Sequence, residues 1–527
     1  MLLSLNACGV PDRPKIDQQK ILHLNLSQDP VSLDPRVVRD LKDLTLVKQL
    51  FEGLMRLDAE GKPQPALAEK IEVSHDLQTY TFYLREAYWS NGDPVTAYDF
   101  AYAWSKVLDS SFASDYAHML YPIKNAQAAR EGTGRIEDIG VTVLNEKILV
   151  VELKDPTPYF LELTAFPTFF PVNKHVDLKQ KNWTQSPGTF FVCNGPFCLK
   201  QWRPEAGISL QKNSLYWDKE AVHLDGIDFC VISDNNTESY LFEKNELDWL
   251  GQPISHNIAA EILVKMKEKG EAYSYPVAGT LWFKFNVDKE PFVSKNMRKA
   301  FSYAINRQEI VTHVLQGNQT LATGPLPPSM AVSETPYFKD GDIEEARKFF
   351  ALALEEKQWT SEDVPKIVLN YASSERNAKI AQLVQQQLKK ALGLEVELEV
   401  QEKQLCRRRV RQGLFQVSIG DWVADFHDPL AFLELFKYRN DAINGNGMND
   451  TGWQDESFIA LLDQSLVECD SHKRKELLRE AEGILVEEMP IAPVYHYAFD
   501  YVKKSYVKDV FLSPLGLADF KTADFLP

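Results

Sequence analysis

Residues 366–402 read KIVLNYASSERNAKIAQLVQQQLKKALGLEVELEVQE, and their periodicities set the fold class. A short apolar run at 366–371 predicts a strand, and the segment over roughly 376–392 predicts a helix. At 393–400 Leu394, Val396, Leu398 and Val400 alternate with polar residues, mostly Glu, the period-two pattern of a strand with one buried face. Two strands joined through a helix lie parallel with a right-handed crossover, so the chain is α/β. In such sheets ligands sit beyond the carboxyl ends of the strands, often at a helix N-terminus. That directs attention to the loop Ala372-Ser373-Ser374-Glu375-Arg376-Asn377. Free backbone N–H groups beside Arg376 would seat an anionic group; the same loop serves equally as a plain helix cap made by Ser373 or Ser374.

Outward from this unit the chain keeps alternating strand and helix patterns. Strands are expected at 20–26 and 147–153, and a helix from Asp342, with the capping-box spacing to Glu345, to about 358. Another helix is expected over 296–316, striped by Phe301, Ala304, Ile305, Val311, Val314 and Leu315. The 527 residues are too many for one core and imply two or three domains. A net charge of −17 argues against nucleic acid or an anionic membrane face as partner. The basic run Arg407, Arg408, Arg409 and Arg411 reads as a solvated helix face. No apolar run inside the chain approaches the ~20 residues of a membrane span.

Catalytic signatures are missing: there is no GxSxG, HExxH, GxxxxGK[ST] or GxGxxG opening a helix. Ser233-Asp234-Asn235 and Ser505-x-x-Lys508 imitate penicillin-binding elements in reversed order, and no Lys-Thr-Gly follows. His427 lies between Asp425 and Asp428, but neighbours on one strand or loop rarely converge on an ion, and neither a metal nor a cofactor is expected. Cys193, Cys198, Cys230, Cys406 and Cys469 show no zinc-like spacing. Cys193 and Cys198 flank Asn194-Gly195-Pro196-Phe197 and either pair across that turn or stay as buried thiols. What stands out is 20 Tyr, 29 Phe and 10 Trp, some of them set among polar groups. Trp282-Phe283-Lys284-Phe285-Asn286, Tyr495-His496-Tyr497 and GDWVADFHDP (420–429) are such stretches, and they suit a wet, enclosed ligand cleft.

An ordered series of segments then carries a family resemblance. Asp34-Pro35 precedes Phe51-Glu52-Gly53-Leu54 and Pro65-Ala66-Leu67-Ala68-Glu69-Lys70. Tyr80 to Arg85 and WSNGDPVTAYDF (89–100) follow, then Asn194-Gly195-Pro196-Phe197 and Asn213-x-x-Tyr216-Trp217. Phe283 to Asn286, RKAFSYAINR (298–307) and Trp422-x-x-Asp425-x-x-Asp428-Pro429 complete it. Over about residues 20–510 the chain resembles an oligopeptide-binding lipoprotein of a bacterial ABC importer, the peptide/nickel type of extracytoplasmic solute-binding protein. The resemblance implies a two-lobed periplasmic-binding-protein fold of type II, with two hinge strands and an additional inserted domain. By analogy lobe one takes 9–50, 170–277 and 492–527, the inserted domain 51–169, and lobe two 278–491. Leu5-Asn6-Ala7-Cys8 resembles a lipobox, making 1–8 a residual signal and Cys8 the lipidated residue. Asn6 and the short apolar segment depart from that pattern.

The same resemblance implies a monomeric receptor, not an enzyme, that passes short peptides to permease subunits. It would be periplasmic, anchored by lipid alone to the outer face of the cytoplasmic membrane. Asp425 is implied as acceptor of the peptide's α-ammonium, a cation that every free peptide brings. Backbone groups around Asp421, Trp422, Val423 and Ala424, and around 278–282 including Trp282, would pair with the peptide main chain. Tyr116, Tyr495 and Tyr497 fall where ligand-contacting aromatics are placed, and Arg376 and Asn377 where a peptide carboxylate is bound. Lys284 replaces a Glu of the prototype; facing the cleft, it would favour acidic peptides, cell-wall-derived ones included. The competing readings are a non-peptide ligand (nickel chelate, haem, sugar or cell-wall fragment) and a sensor or adhesin lipoprotein. A ligand without a free amine would leave Asp425 without purpose.

Overall fold

The structure is a computed structural model that describes residues 19–526 apart from 59, 181, 186–189, 441–447 and 469. Cys8 and Cys469 lie outside the described residues.

The parallel unit forms as its periodicity requires. Strands Ile367–Ala372 and Val396–Gln401 pair in parallel through the helix Glu375–Leu392. Ser374 caps that helix by accepting from the Asn377 amide, and Gly393 ends it in the left-handed conformation at φ 72°. The cap takes up Gly393, so the second strand starts at Val396 rather than at 393. It is the sheet's edge strand, which leaves Val400 exposed.

This unit belongs to a seven-stranded sheet that runs the length of the molecule. Its order is Trp249–Gly251, Ile491–Lys503, Ala272–Phe285, Val417–Val423, Ile367–Ala372, Val396–Gln401, with Thr320–Leu321 beside Ile491–Lys503. Two members are unusually long, Ala272–Phe285 with 14 residues and Ile491–Lys503 with 13. At about 3.3 Å per residue each reaches roughly 45 Å, enough to cross from one lobe into the other. Their mutual register breaks between Pro276 and Thr280. There the Ala278 amide donates to the Pro514 carbonyl at 2.7 Å, and the Ala278 carbonyl accepts from Ala424 at 2.8 Å. These are the hinge strands of a two-lobed fold.

On one side of the break lies a four-stranded sheet ordered Ile21–Asn25, Gly226–Cys230, Gly207–Lys212, Phe197–Arg203, its first pair parallel. A separate antiparallel sheet, Ala68–Val73, Thr79–Leu84, Ile148–Glu152 and Val141–Asn145, carries the helix Ala97–Val107 with a capping box from Thr96 to Asp99. On the other side Phe283, Phe285, Leu369 and Val417 build a second core with Phe301, Phe350, Ile380 and Val384 of the covering helices. The helix expected over 296–316 is interrupted. Lys295–Tyr303 is helical, then Asn306 caps a new turn and the Arg307 guanidinium turns inward to the carbonyls of Pro493 and Ser302. Satisfying that buried cation takes precedence over continuing the helix.

Several segments behind the resemblance meet in two buried charge clusters. Glu52 accepts from Arg56 (2.6 Å), Tyr216 (3.0 Å) and the Trp217 indole (2.6 Å), while Asp519 takes Arg56 at 2.8 Å and Lys48 at 3.6 Å. Asp34 and Asp177 both clasp Arg36 at 2.7 Å. Through them the 34–56 segment is tied to Asp177, to Tyr216 and Trp217 and to Asp519 near the far end of the chain. Asp519→Asn leaves Arg56 and Lys48 buried without full compensation and should lower unfolding stability by about 3–5 kcal/mol. Urea denaturation followed by tryptophan fluorescence measures this, and an unchanged midpoint would refute it.

Candidate functional site

The strand Val417–Val423 ends where the two cores face each other. On one side it pairs with Ala272–Phe285 along its whole length, from Phe285 opposite Val417 to Gly279 opposite Val423. On the other side it pairs with Ile367–Ala372 only at Leu369–Val417 and Asn370–Ser418. Beyond Ser418 that edge has no neighbouring strand among the described residues. A row of main-chain donors and acceptors at 419–423 is therefore open to an extended ligand, as at any free sheet edge.

Alternation along the strand gives this edge two faces. On one, the Tyr497 hydroxyl donates to Asp421 at 3.1 Å and Arg376 lies 5.7 Å over the Tyr497 ring. Gly279 lets that ring approach, since a Cβ there would sit 2.7 Å from Tyr497 Cδ2. On the other, the Lys284 stem crosses Gly420, where a Cβ would meet Cε at 2.6 Å, and its Nζ pairs with Asp450 Oδ2 at 2.9 Å.

Asp425 follows directly. It is half-buried, and neither a hydrogen bond nor an ion pair satisfies its carboxylate among the described residues. Burial alone pushes it up to about 6. Asp428, three residues on, is the opposite case: it accepts from Leu430 N and holds Arg474 through both oxygens at 2.7 and 2.9 Å. The segment between them is held from the antiparallel-sheet side, where Tyr159 stacks on Phe426 at 4.4 Å with the rings 10° apart. Tyr116 reaches Asp425 from the same side; burial, with the Asp425 charge next, pushes its hydroxyl up to about 12.

Several expected site residues fall elsewhere. Trp282 is 2% exposed and packs on Phe432 and Phe436, so its ring is core. The backbone at 280–282 is paired on both sides, with Val417–Val423 and with Ile491–Lys503, and offers no free edge. Tyr495 is fully buried, meets Tyr497 edge-on at 5.3 Å and lies beside Arg376 and Asp421. Asn377 spends its amide on the Ala372 carbonyl, which makes the 372–377 loop a cap. Lys284 is no unpaired cation, being neutralised by Asp450. Trp422 is half-buried, Val423 is 40% exposed and Ala424 is buried at the hinge. Cys193 and Cys198 are free thiols. The pairings Tyr497–Asp421 and Lys284–Asp450 carried no local signal, since their partners lie 76 and 166 residues apart.

A two-lobed fold with hinge strands, an open strand edge at the cleft and an unpaired acid beside the hinge defines a solute-capturing protein. The model of the bacterial extracellular solute-binding proteins, family 5, matches residues 62–444, and the chain belongs to that family. It is 42% identical to the oligopeptide-binding protein OppA of Bacillus subtilis, over 99% of this chain and 97% of that one. Among solved structures it is similar to the unliganded open form of the murein tripeptide-binding protein MppA, with TM-score 0.83 and 27% identity over 96% and 98% of the two chains. Against Haemophilus influenzae OppA in complex with RPPGFSPFR the TM-score is 0.76 at 27% identity, over 97% and 100%. No helix of the described residues is long and apolar enough to cross a membrane.

The Asp425 environment predicts opposite effects on fold and ligand. An ionised acid whose folded value, about 6, lies above its unfolded 3.8 weakens the ligand-free fold wherever it is charged. Asp425→Asn should therefore raise ligand-free stability at pH 7 by about 1–3 kcal/mol, the gain fading as pH falls from 6 toward 4. Thermal unfolding across that range is the check; a destabilised variant would contradict it.

Proposed function

We propose that this protein is the substrate-binding receptor of an ABC importer, capturing short peptides by their main chain and their terminal charges. One observation carries the reading: an acid without a partner, half-buried at the hinge, next to an unoccupied strand edge. A free peptide matches both features, with a backbone for the edge and an α-ammonium for Asp425. A charge-assisted hydrogen bond contributes roughly 1.5–3 kcal/mol net. Similarity to peptide-binding relatives supports the same ligand class, and a ligand with neither amine nor extended backbone would use neither feature. Tyr116 closes over the amine from the antiparallel-sheet side. Tyr497 and Arg376 wall the path, and Arg376 is the cation within reach of a peptide carboxylate.

The reading requires no catalytic step, since lobe closure supplies affinity and the importer's ATPases supply energy. The division expected from the resemblance, with an inserted domain at 51–169 and lobe two at 278–491, belongs to this proposal. So do a monomeric state and attachment to the outer face of the cytoplasmic membrane through Cys8.

Binding should be pH-dependent in a way that identifies the anchor. Above pH 6 Asp425 is charged and affinity for a free-amine peptide is steady, until the peptide amine deprotonates near pH ~8. Below pH 6 the carboxyl must lose a proton to pair, so affinity falls about tenfold per pH unit. N-acetylation of the peptide, or Asp425→Asn, should weaken binding about ten- to a hundredfold at pH 7.5 and flatten the acid limb. Calorimetric titration decides it: an N-acetylated peptide binding as tightly as its free-amine parent sinks the assignment.

A further inference from the structure

We propose that the Lys284–Asp450 ion pair sets the charge selectivity for the ligand side chain lodged on the Gly420 face, keeping that position neutral so that it accepts uncharged side chains. The inference rests on the reading of the ligand as a strand added to the open edge at 419–423.

An added strand sends alternate side chains to opposite faces of the sheet. Those on the Asp421 face meet Tyr497 and Arg376. Those on the Gly420 face meet the Lys284 stem, because Gly420 has no side chain to keep it off. Lys284 is 20% exposed and Asp450 10%, so the pair lies under partial cover and is still within reach of an incoming group. Asp450 is fixed from behind, its other oxygen accepting from Asn440 at 3.0 Å. The next charges on this face are also matched, Arg409 pairing with Glu399 at 2.7 Å. An acidic ligand side chain therefore approaches a lysine already satisfied and an aspartate that repels it. A basic one meets the same obstacle with signs exchanged. Removing either partner leaves a partly covered charge that only an opposite charge can satisfy.

The test is calorimetric titration with free-amine peptides identical except for one residue, Glu, Gln or Lys, placed in turn at each internal position. The wild type should discriminate Glu from Lys by less than about threefold at every position. Asp450→Asn should shift the Glu-to-Lys preference about tenfold toward Glu at alternate positions only, the scale of one charge-assisted contact. Lys284→Gln should shift it comparably toward Lys. The reversed pair, Lys284→Asp with Asp450→Lys, should restore indifference and shows that the fold tolerates change at both sites. A preference that stays put in both single variants while peptides still bind overturns the inference, as does an equal shift at all positions. A wild type that binds none of these peptides instead overturns the peptide reading itself.

Discussion

The register break between the two hinge strands is the constraint on which the rest of the structure depends. Pro276 has no amide hydrogen to donate, and the ladder between Ala272–Phe285 and Ile491–Lys503 resumes only at Thr280. On the other edge of Ala272–Phe285 the ladder with Val417–Val423 runs on by one more bond, the Ala424 amide donating to the Ala278 carbonyl, while the Ala278 amide donates to Pro514. The segment that bears Asp425 is thus tied by one backbone bond to the register break between the hinge strands. A group placed there changes its surroundings with small rotations, which suits an anchor whose occupancy is to be linked to closure.

Charge treatment around the hinge follows from the cost of burying an ion. Where a charge serves only the fold it is matched: Asp428 with Arg474, Asp519 with Arg56 and Lys48, Arg36 with two aspartates. Asp425 lies three residues from the first of these and has no such partner. Its carboxylate is half-buried here, and fuller desolvation on lobe closure would raise the cost sharply. A ligand that brings a positive group removes that penalty at the moment it arises, so an empty closed state is disfavoured relative to a filled one. On the proposed reading the acid acts on the lobe equilibrium as well as on affinity.

Much of the architecture was legible in the sequence because it rests on local periodicity. The parallel unit at 366–402, the Asp342 cap and the strands at 20–26 and 147–153 follow from spacing alone. The helix over 296–316 did not, because its apolar stripe continues through the break and only the tertiary demand of Arg307 for buried carbonyls shows why it stops. Aromatic residues misled for a related reason. Trp282 and Trp422 both stand beside polar neighbours and share one face of the sheet, yet Trp282 lies on a strand paired on both sides and packs under Phe432 and Phe436, while Trp422 near the strand end stays half-buried. Lys284 was read as a charge because its partner, Asp450, is reachable only through the fold. Asp425 was singled out by its Trp, Ala and Phe neighbours, and among the described residues its carboxylate makes no ion pair; its part in binding belongs to the proposed function.

Breadth and selectivity are then properties of different parts of one strand. On the proposed reading the edge at 419–423 contributes backbone groups, identical for every sequence, and with one terminal charge they would give affinity that is blind to side chains. Discrimination has to come from what each face presents. One face offers Tyr497, Asp421 and Arg376, with the aromatic ring between two charges of opposite sign. The other offers Lys284 and Asp450, already satisfied by each other. On the Gly420 face the charges near the proposed ligand path are paired directly, whereas on the Asp421 face Arg376 lies over the Tyr497 ring and makes no ion pair among the described residues. On the proposed reading the Gly420 face then admits side chains of many kinds, because it holds no unmatched charge that one of them would satisfy far better than another, while the Asp421 face keeps Arg376 for a carboxylate.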